Sequence, residues 1–181
     1  MATDERIVSL SSNYSNTGMI KRELINQITR KHRPHLIELY PQRKDEIKNQ
    51  LELLEEYISN NIPEIAFLGI GKDGHTAGIF EQKTVKSNFY TLKNLVDPFY
   101  RITISMDALI KIPYLIFFVL GPNKKDSLKK ILLHNNSKKF LPAKFLIKNG
   151  LGEKIIFCDR QAAPSLFNIG ESRISFNNES A

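Results

Sequence analysis

A chain of 181 residues with 41% hydrophobic side chains has room for a compact domain with its own apolar core, and 25% charged residues fit a solvated surface rather than wholesale disorder. The net charge of +7 raises nucleic acid as a partner. Its lysines, however, are scattered or paired as in Lys124-Lys125 and Lys138-Lys139, without interleaved aromatics to stack bases, so no nucleic acid is expected and the surface is read as favouring anionic small molecules.

Met1-Ala2-Thr3-Asp4-Glu5-Arg6 has no apolar region flanked by positive charge, so it is not read as a signal peptide. From Asn16 to Ile28, the spacing of Ile20, Leu24, Ile25 and Ile28 predicts a helix that Ser15 or Asn16 can cap. A stronger amphipathic helix is predicted over Arg43 to Ser59, where Ile47, Leu51, Leu54 and Ile58 make a stripe suited to packing on a sheet. Pro63 breaks that pattern, and Ile65 to Ile70 follows as a continuous apolar strand. Glu81 to Asp97 shows no period and is expected to be a loop over the active site.

Further apolar runs of strand length lie at Ile102 to Ile104, Leu115 to Leu120 and Lys154 to Phe157, and Leu128, Ile131 and Leu132 predict a helix within Lys124 to Leu133. The longest run, Tyr114 to Leu120, is too short to span a bilayer, so no membrane insertion is expected. Cys158, the single cysteine, closes the last apolar run, where a thiol is expected to act as a small hydrophobe in a reducing, cytoplasmic setting. Continuous apolar strands alternating with helices imply an α/β fold whose mostly parallel sheet is covered on both faces, a three-layer arrangement. One domain is expected over residues 1–167, followed by a flexible tail over 168–181.

The chemistry is concentrated after the first long strand, in Gly69-Ile70-Gly71-Lys72-Asp73-Gly74-His75-Thr76. Glycines there permit positive φ and close approach of the main chain to a ligand at the carboxyl end of a sheet, and the residues after His75 are expected to begin a helix whose N-terminus favours anions. Asp73 and His75, two apart, place a carboxylate and an imidazole at one strand end. The bland alternative is that Asp73 caps the helix and His75 is a satisfied, partly buried side chain.

From Phe67 to Phe80 the sequence resembles the active-site signature of the 6-phosphogluconolactonases, in the glucosamine-6-phosphate isomerase/6-phosphogluconolactonase superfamily. Thr3 to Val8 with Tyr14-Ser15-Asn16 is similar to that family's Asp-Glu-Arg motif and its Ser-Asn partner. Arg101 to Ser105 is similar to its arginine-led strand, Leu115 to Gly121 with Lys124 to its glycine-ended strand, and Asp159 with Ala162-Ala163 to its closing segment. The resemblance implies a Rossmann-like fold and hydrolysis of 6-phosphoglucono-1,5-lactone to 6-phosphogluconate, in the oxidative pentose phosphate pathway, without metal or cofactor. It implies His75 as the base that takes a proton from water, worth about 10²- to 10⁴-fold, with Asp73 orienting it or the sugar hydroxyls. Backbone N–H groups near Gly71 and Gly74 would be candidates for the oxyanion site, and Asp4, Gly71, Gly74, Arg6, Arg101 and Lys124 would bind substrate, the cations on phosphate or sugar oxygens. For Arg6, Arg101 and Lys124 a salt bridge is the alternative.

The family's strand, helix and Gly-Gly-Ser/Thr-Pro-like phosphate loop have no counterpart before Thr3, and Glu81 stands where its loop continues with proline. The chain is therefore expected to lack the first strand or strands of the family fold, leaving a sheet edge open to self-association. An incomplete lactonase is the reading adopted. A short relative acting as a binding module and a glucosamine-6-phosphate deaminase or isomerase are the alternatives, although such deaminases carry Asn-Gly-His and an Asn-Glu-Pro element that this sequence lacks.

Overall fold

A computed structural model describes residues 1–39, 46–93, 98–133 and 139–163. Along the chain run β1 (Asp4–Arg6), α1 (Asn16–Glu23), α2 (Ile47–Asn60), β2 (Ile65–Gly69), β3 (Phe89–Lys93), β4 (Tyr100–Ile104), α3 (Met106–Ile110), β5 (Tyr114–Val119), α4 (Lys125–Leu133), α5 (Pro142–Asn149) and β6 (Glu153–Cys158). They fall into two compact units, the first Met1–Ile62 with Val85–Ser105, the second Pro63–Thr84 with the chain from Met106 onward. The tail expected over 168–181, and Arg43 to Asp45 at the start of the second predicted helix, lie outside the described residues.

The first unit holds an antiparallel sheet in the order β1-β4-β3, with Glu5 and Thr91 on either side of Ile102. Phe89, Ile102 and Ile104 are buried in it. Helix α2 packs on β3 through the stripe the sequence marks: Leu54 and Ile58 are buried, and Glu55 accepts the N–H and the side-chain amide of Asn88 at 2.7 and 2.8 Å. Ser15 caps α1 by accepting the N–H of Gly18 at 2.9 Å. The helix is shorter than expected: it ends at Glu23, Ile25–Gln27 continues as a 3₁₀ turn, and Leu24 is exposed. The stretch from Glu81 to Asp97, expected to be a loop, contributes β3, whose Phe89 anchors it in the core.

The second unit carries a parallel sheet in the order β2-β5-β6, in register Ile65↔Tyr114 and Tyr114↔Glu153. Ala66, Leu68, Leu115, Phe117 and Val119 are buried, and Leu109, Leu128, Ile131, Leu146 and Ile147 of α3, α4 and α5 complete this core. The α/β architecture with a parallel sheet is the one expected. Burial nevertheless alternates along β2 and β5 instead of running through them. Phe67, Phe118 and Phe157, on adjacent strands, are 62%, 46% and 52% exposed and stack at centroid distances of 6.0 and 5.5 Å. A continuous apolar run says that both sides of a strand want cover, and α3, α4 and α5 supply one side only. Cys158, expected in the core, is exposed at the end of β6, and partial burial with the neighbouring Asp159 charge raises its thiol above the usual range.

Candidate active site

The parallel ladder ends at Gly69, and the chain must then turn away from the sheet. Gly71 donates its N–H to the carbonyl of His75 at 2.8 Å, and Gly74 donates to the carbonyl of Gly71 at 3.0 Å, closing a small loop over Gly71 to His75. Gly74 sits at φ 85°, a conformation favouring glycine, and a Cβ there would lie 2.8 Å from Leu141 Cδ2. Its carbonyl accepts the N–H of Ala143 in α5 at 3.0 Å, and the buried Thr76 hydroxyl returns to the carbonyl of Gly69 at 2.9 Å.

This loop brings Asp73 and His75 together: Asp73 Oδ1 lies 2.5 Å from His75 Nδ1, and the same oxygen accepts the His75 N–H at 3.3 Å. Partial burial pushes the Asp73 carboxyl up, but the hydrogen bonds and charge of His75 outweigh it and hold the group below its ordinary range. At neutral pH it is therefore a carboxylate, which can only accept, so the Nδ1 proton faces it and, in the neutral form of the ring, the lone pair is on Nε2. The Phe80 ring lies 4.5 Å from the imidazole, centroid to centroid, at 42°. Gly71 gives the pair its room, since a Cβ there would fall 2.1 Å from His75 Nδ1 and 2.6 Å from Asp73 Oδ1.

Two expectations for this loop are corrected. The N–H groups of Gly71 and Gly74 themselves are engaged inside it, so these two are not among the oxyanion donors expected near them. No helix follows His75: Thr76 and Ile79 pair across a tight turn with Ala77 at φ 48°, so helix-dipole stabilisation of an anion does not operate there.

Lys124 reaches the loop from the end of β5, its Nζ donating to the carbonyl of Ile70 at 2.7 Å. An ammonium has three donors, so this bond leaves donor capacity at the start of the loop that carries Asp73 and His75. The residue is placed by a 3₁₀ turn, Pro122–Lys124, which starts from Gly121 at φ 87°. Sequence reasoning gave no role to Thr76, Phe80 or Gly121; the signature containing the first two and the glycine ending β5 were the available signals.

Asp4, Arg6 and Arg101 lie in the first unit, in a network that holds β1. Arg101, 6% exposed, donates to Asp4 Oδ2 at 2.8 Å. Burial pushes the Asp4 carboxyl above its ordinary value, more than the Arg101 charge pulls it down. Arg6 donates to the carbonyl of Tyr14 at 3.0 Å and to Asn16 Oδ1 at 3.3 Å. The buried Glu5 carboxylate accepts the N–H groups of Asn16 at 2.9 Å and Thr17 at 2.6 Å and the Ser15 hydroxyl at 3.0 Å, placing negative charge at the start of α1. The Asp-Glu-Arg and Ser-Asn motifs are thus joined physically, and each has a structural task. Among the described residues no group of three or more His, Cys, Asp or Glu is placed to hold a metal ion, and no helix is long and apolar enough to cross a membrane.

The family model described as glucosamine-6-phosphate isomerases/6-phosphogluconolactonase matches residues 1–156. A curated 6-phosphogluconolactonase of Helicobacter pylori is 30% identical over 139 residues, 73% of this chain and 59% of that protein, so the chain spans less than two thirds of the relative's length. Among solved structures, a 6-phosphogluconolactonase from Leishmania guyanensis superposes with a TM-score of 0.73 at 19% identity, over 92% of this chain and 74% of that one. A monomeric glucosamine-6-phosphate deaminase gives 0.69 at 20% identity, over 88% and 71%. At such identities the two structures speak for the fold alone.

Proposed function

From a chain that belongs to the glucosamine-6-phosphate isomerase/6-phosphogluconolactonase family, we propose a lactonase that hydrolyses 6-phosphoglucono-1,5-lactone, with His75 as general base. The observation that carries this reading is the Asp73–His75 pair at the carboxyl end of β2, with Lys124 bonded to the same loop. Asp73 fixes the imidazole as the Nδ1–H tautomer, and Nε2 takes a proton from the water that attacks the lactone carbonyl. The ring C–O bond then breaks, and the departing alkoxide recovers that proton from the imidazolium. Lys124 offers its remaining donors to an anionic oxygen of the substrate.

Gly71 acts in this scheme by having no side chain, and Gly74 by turning the loop. The resemblance, not the geometry, gives Asp4, Arg6 and Arg101 a share in binding substrate, the two arginines on phosphate or sugar oxygens. A cytoplasmic setting follows from the same reading, since the substrate is a phosphorylated intermediate. The solved deaminase shares the fold, so fold does not separate the two activities; Asp73-Gly74-His75 favours the lactonase. Offering the purified chain each substrate in turn tests the choice. Acid release from the lactone above the spontaneous rate, with no ammonia from glucosamine 6-phosphate, is expected; ammonia release would overturn it.

A further inference from the structure

We propose that Asp159 is a positioning residue for the Asp73–His75 pair, acting through Gly121, Lys124 and Ile70. This deepens the lactonase reading and rests on it for the kinetic readout alone. Asp159 follows the last residue of β6, and both its carboxylate oxygens are engaged. Oδ2 accepts the Gly121 N–H at 2.9 Å and Oδ1 accepts the Ala162 N–H at 2.8 Å, while its carbonyl accepts the Ala163 N–H at 3.0 Å. The two bonds to its oxygens restrict the side chain, so the carboxylate is a fixed post and not a mobile surface charge.

The post holds Gly121 where the chain leaves β5 at φ 87°. The Gly121 carbonyl accepts the Lys124 N–H at 3.1 Å, closing the turn, and the Ser127 hydroxyl, on a buried residue, donates to the Lys124 carbonyl at 2.9 Å. From that turn the Lys124 ammonium reaches Ile70, between Gly69 and Gly71. Asp159, Gly121 and Ile70 therefore join the ends of β6, β5 and β2 in the order in which those strands lie in the sheet. The strands themselves are already held by parallel ladders running from Ile65↔Tyr114 to Gly69↔Phe118 and from Tyr114↔Glu153 to Val119↔Cys158. The sheet does not need Asp159. The chain beyond the ladders does, because there the backbone has no strand partner, and the Lys124 side chain adds a brace from β5 to the loop's own backbone bonds.

Asp159→Ala, and the milder Asp159→Asn, which keeps one acceptor oxygen, test this in the full chain by two readouts. In nitrogen-edited NMR spectra the Ala variant is expected to move the Gly121 and Gly71 amide signals and the His75 ring signals, with far-UV circular dichroism unchanged and the Asn variant moving them less. Lys124→Met should move the same His75 signals, and the double variant no further than either alone. In the lactone assay Asp159→Ala should lower kcat by about 10- to 100-fold, the loss expected for displacing a catalytic group by up to an ångström. Shifts confined to Gly121 and Ala162, with His75 unmoved, would overturn the proposal. A wild-type chain without lactonase activity would remove the reaction assigned above, and the spectra would still decide the role of Asp159.

Discussion

Replacing Gly71 with alanine probes the Asp73–His75 pair with little disturbance elsewhere. The added Cβ would lie 2.1 Å from His75 Nδ1, 2.3 Å from Cε1 and 2.6 Å from Asp73 Oδ1. Ordinary carbon contacts lie at about 3.5–4.0 Å, so the imidazole must retreat by more than about 1 Å. Its 2.5 Å contact with Asp73 cannot persist unless the carboxylate follows. A misplacement of that size costs roughly 10²-fold in rate, about 2.7 kcal/mol in the barrier. Among the described glycines only Gly74 and Gly121 have positive φ, so alanine at 71 brings no left-handed backbone strain, and melting should change little. Gly69→Ala is the matched control, because a Cβ there meets nothing within 4 Å. Initial rates of lactone loss for the two variants read the difference directly. Wild-type kcat/KM in Gly71→Ala, or equal losses in both, would refute the view that Gly71 makes room for a working His75.

Arg101→Ala should act first on stability, since it leaves the partly buried Asp4 carboxyl without the guanidinium 2.8 Å away; breaking a fully buried pair costs about 3–5 kcal/mol and this one should cost less, to be read from urea midpoints. Asp73, whose folded pKa lies below the ordinary 3.8, contributes stability that is present above that value and lost as pH falls through the folded one. With its side chain 49% exposed the effect is at most about 1 kcal/mol, and the difference between wild type and Asp73→Asn should shrink between pH 5 and pH 2 in denaturation curves. Asp4, raised above 3.8 by burial, has the opposite sign: its contribution is present at low pH and lost as pH rises through the folded value. The exposed Phe67, Phe118 and Phe157 on the parallel sheet should drive concentration-dependent self-association, seen by sedimentation velocity and reduced in Phe118→Thr.

The parts of the fold legible in the sequence were those where one period dominates. Leu54 and Ile58 mark α2, Leu128 and Ile131 mark α4, and the apolar runs mark β2, β4, β5 and β6. Short elements escaped. Helix α5 announces itself only by Pro142 at its start and Gly150 after its end, α3 has five residues, and β1 has three, fewer than any periodicity needs. Strand β3 buries a single residue, Phe89, and so shows no alternation. At the site, the pairing of Asp73 with His75 was legible from their spacing, but the use of the Gly71 and Gly74 amides depends on the path of the loop. Equally, composition shows that Arg101 is a cation but not that Asp4, 97 positions away in sequence, is its partner.

The most direct measurement is the initial rate at which the lactone is consumed by the purified chain and by His75→Ala, each compared with the rate in buffer. The wild-type chain should exceed the spontaneous rate, and the alanine variant should fall to it while remaining folded. Equal turnover by the two proteins would contradict the assignment of the imidazole.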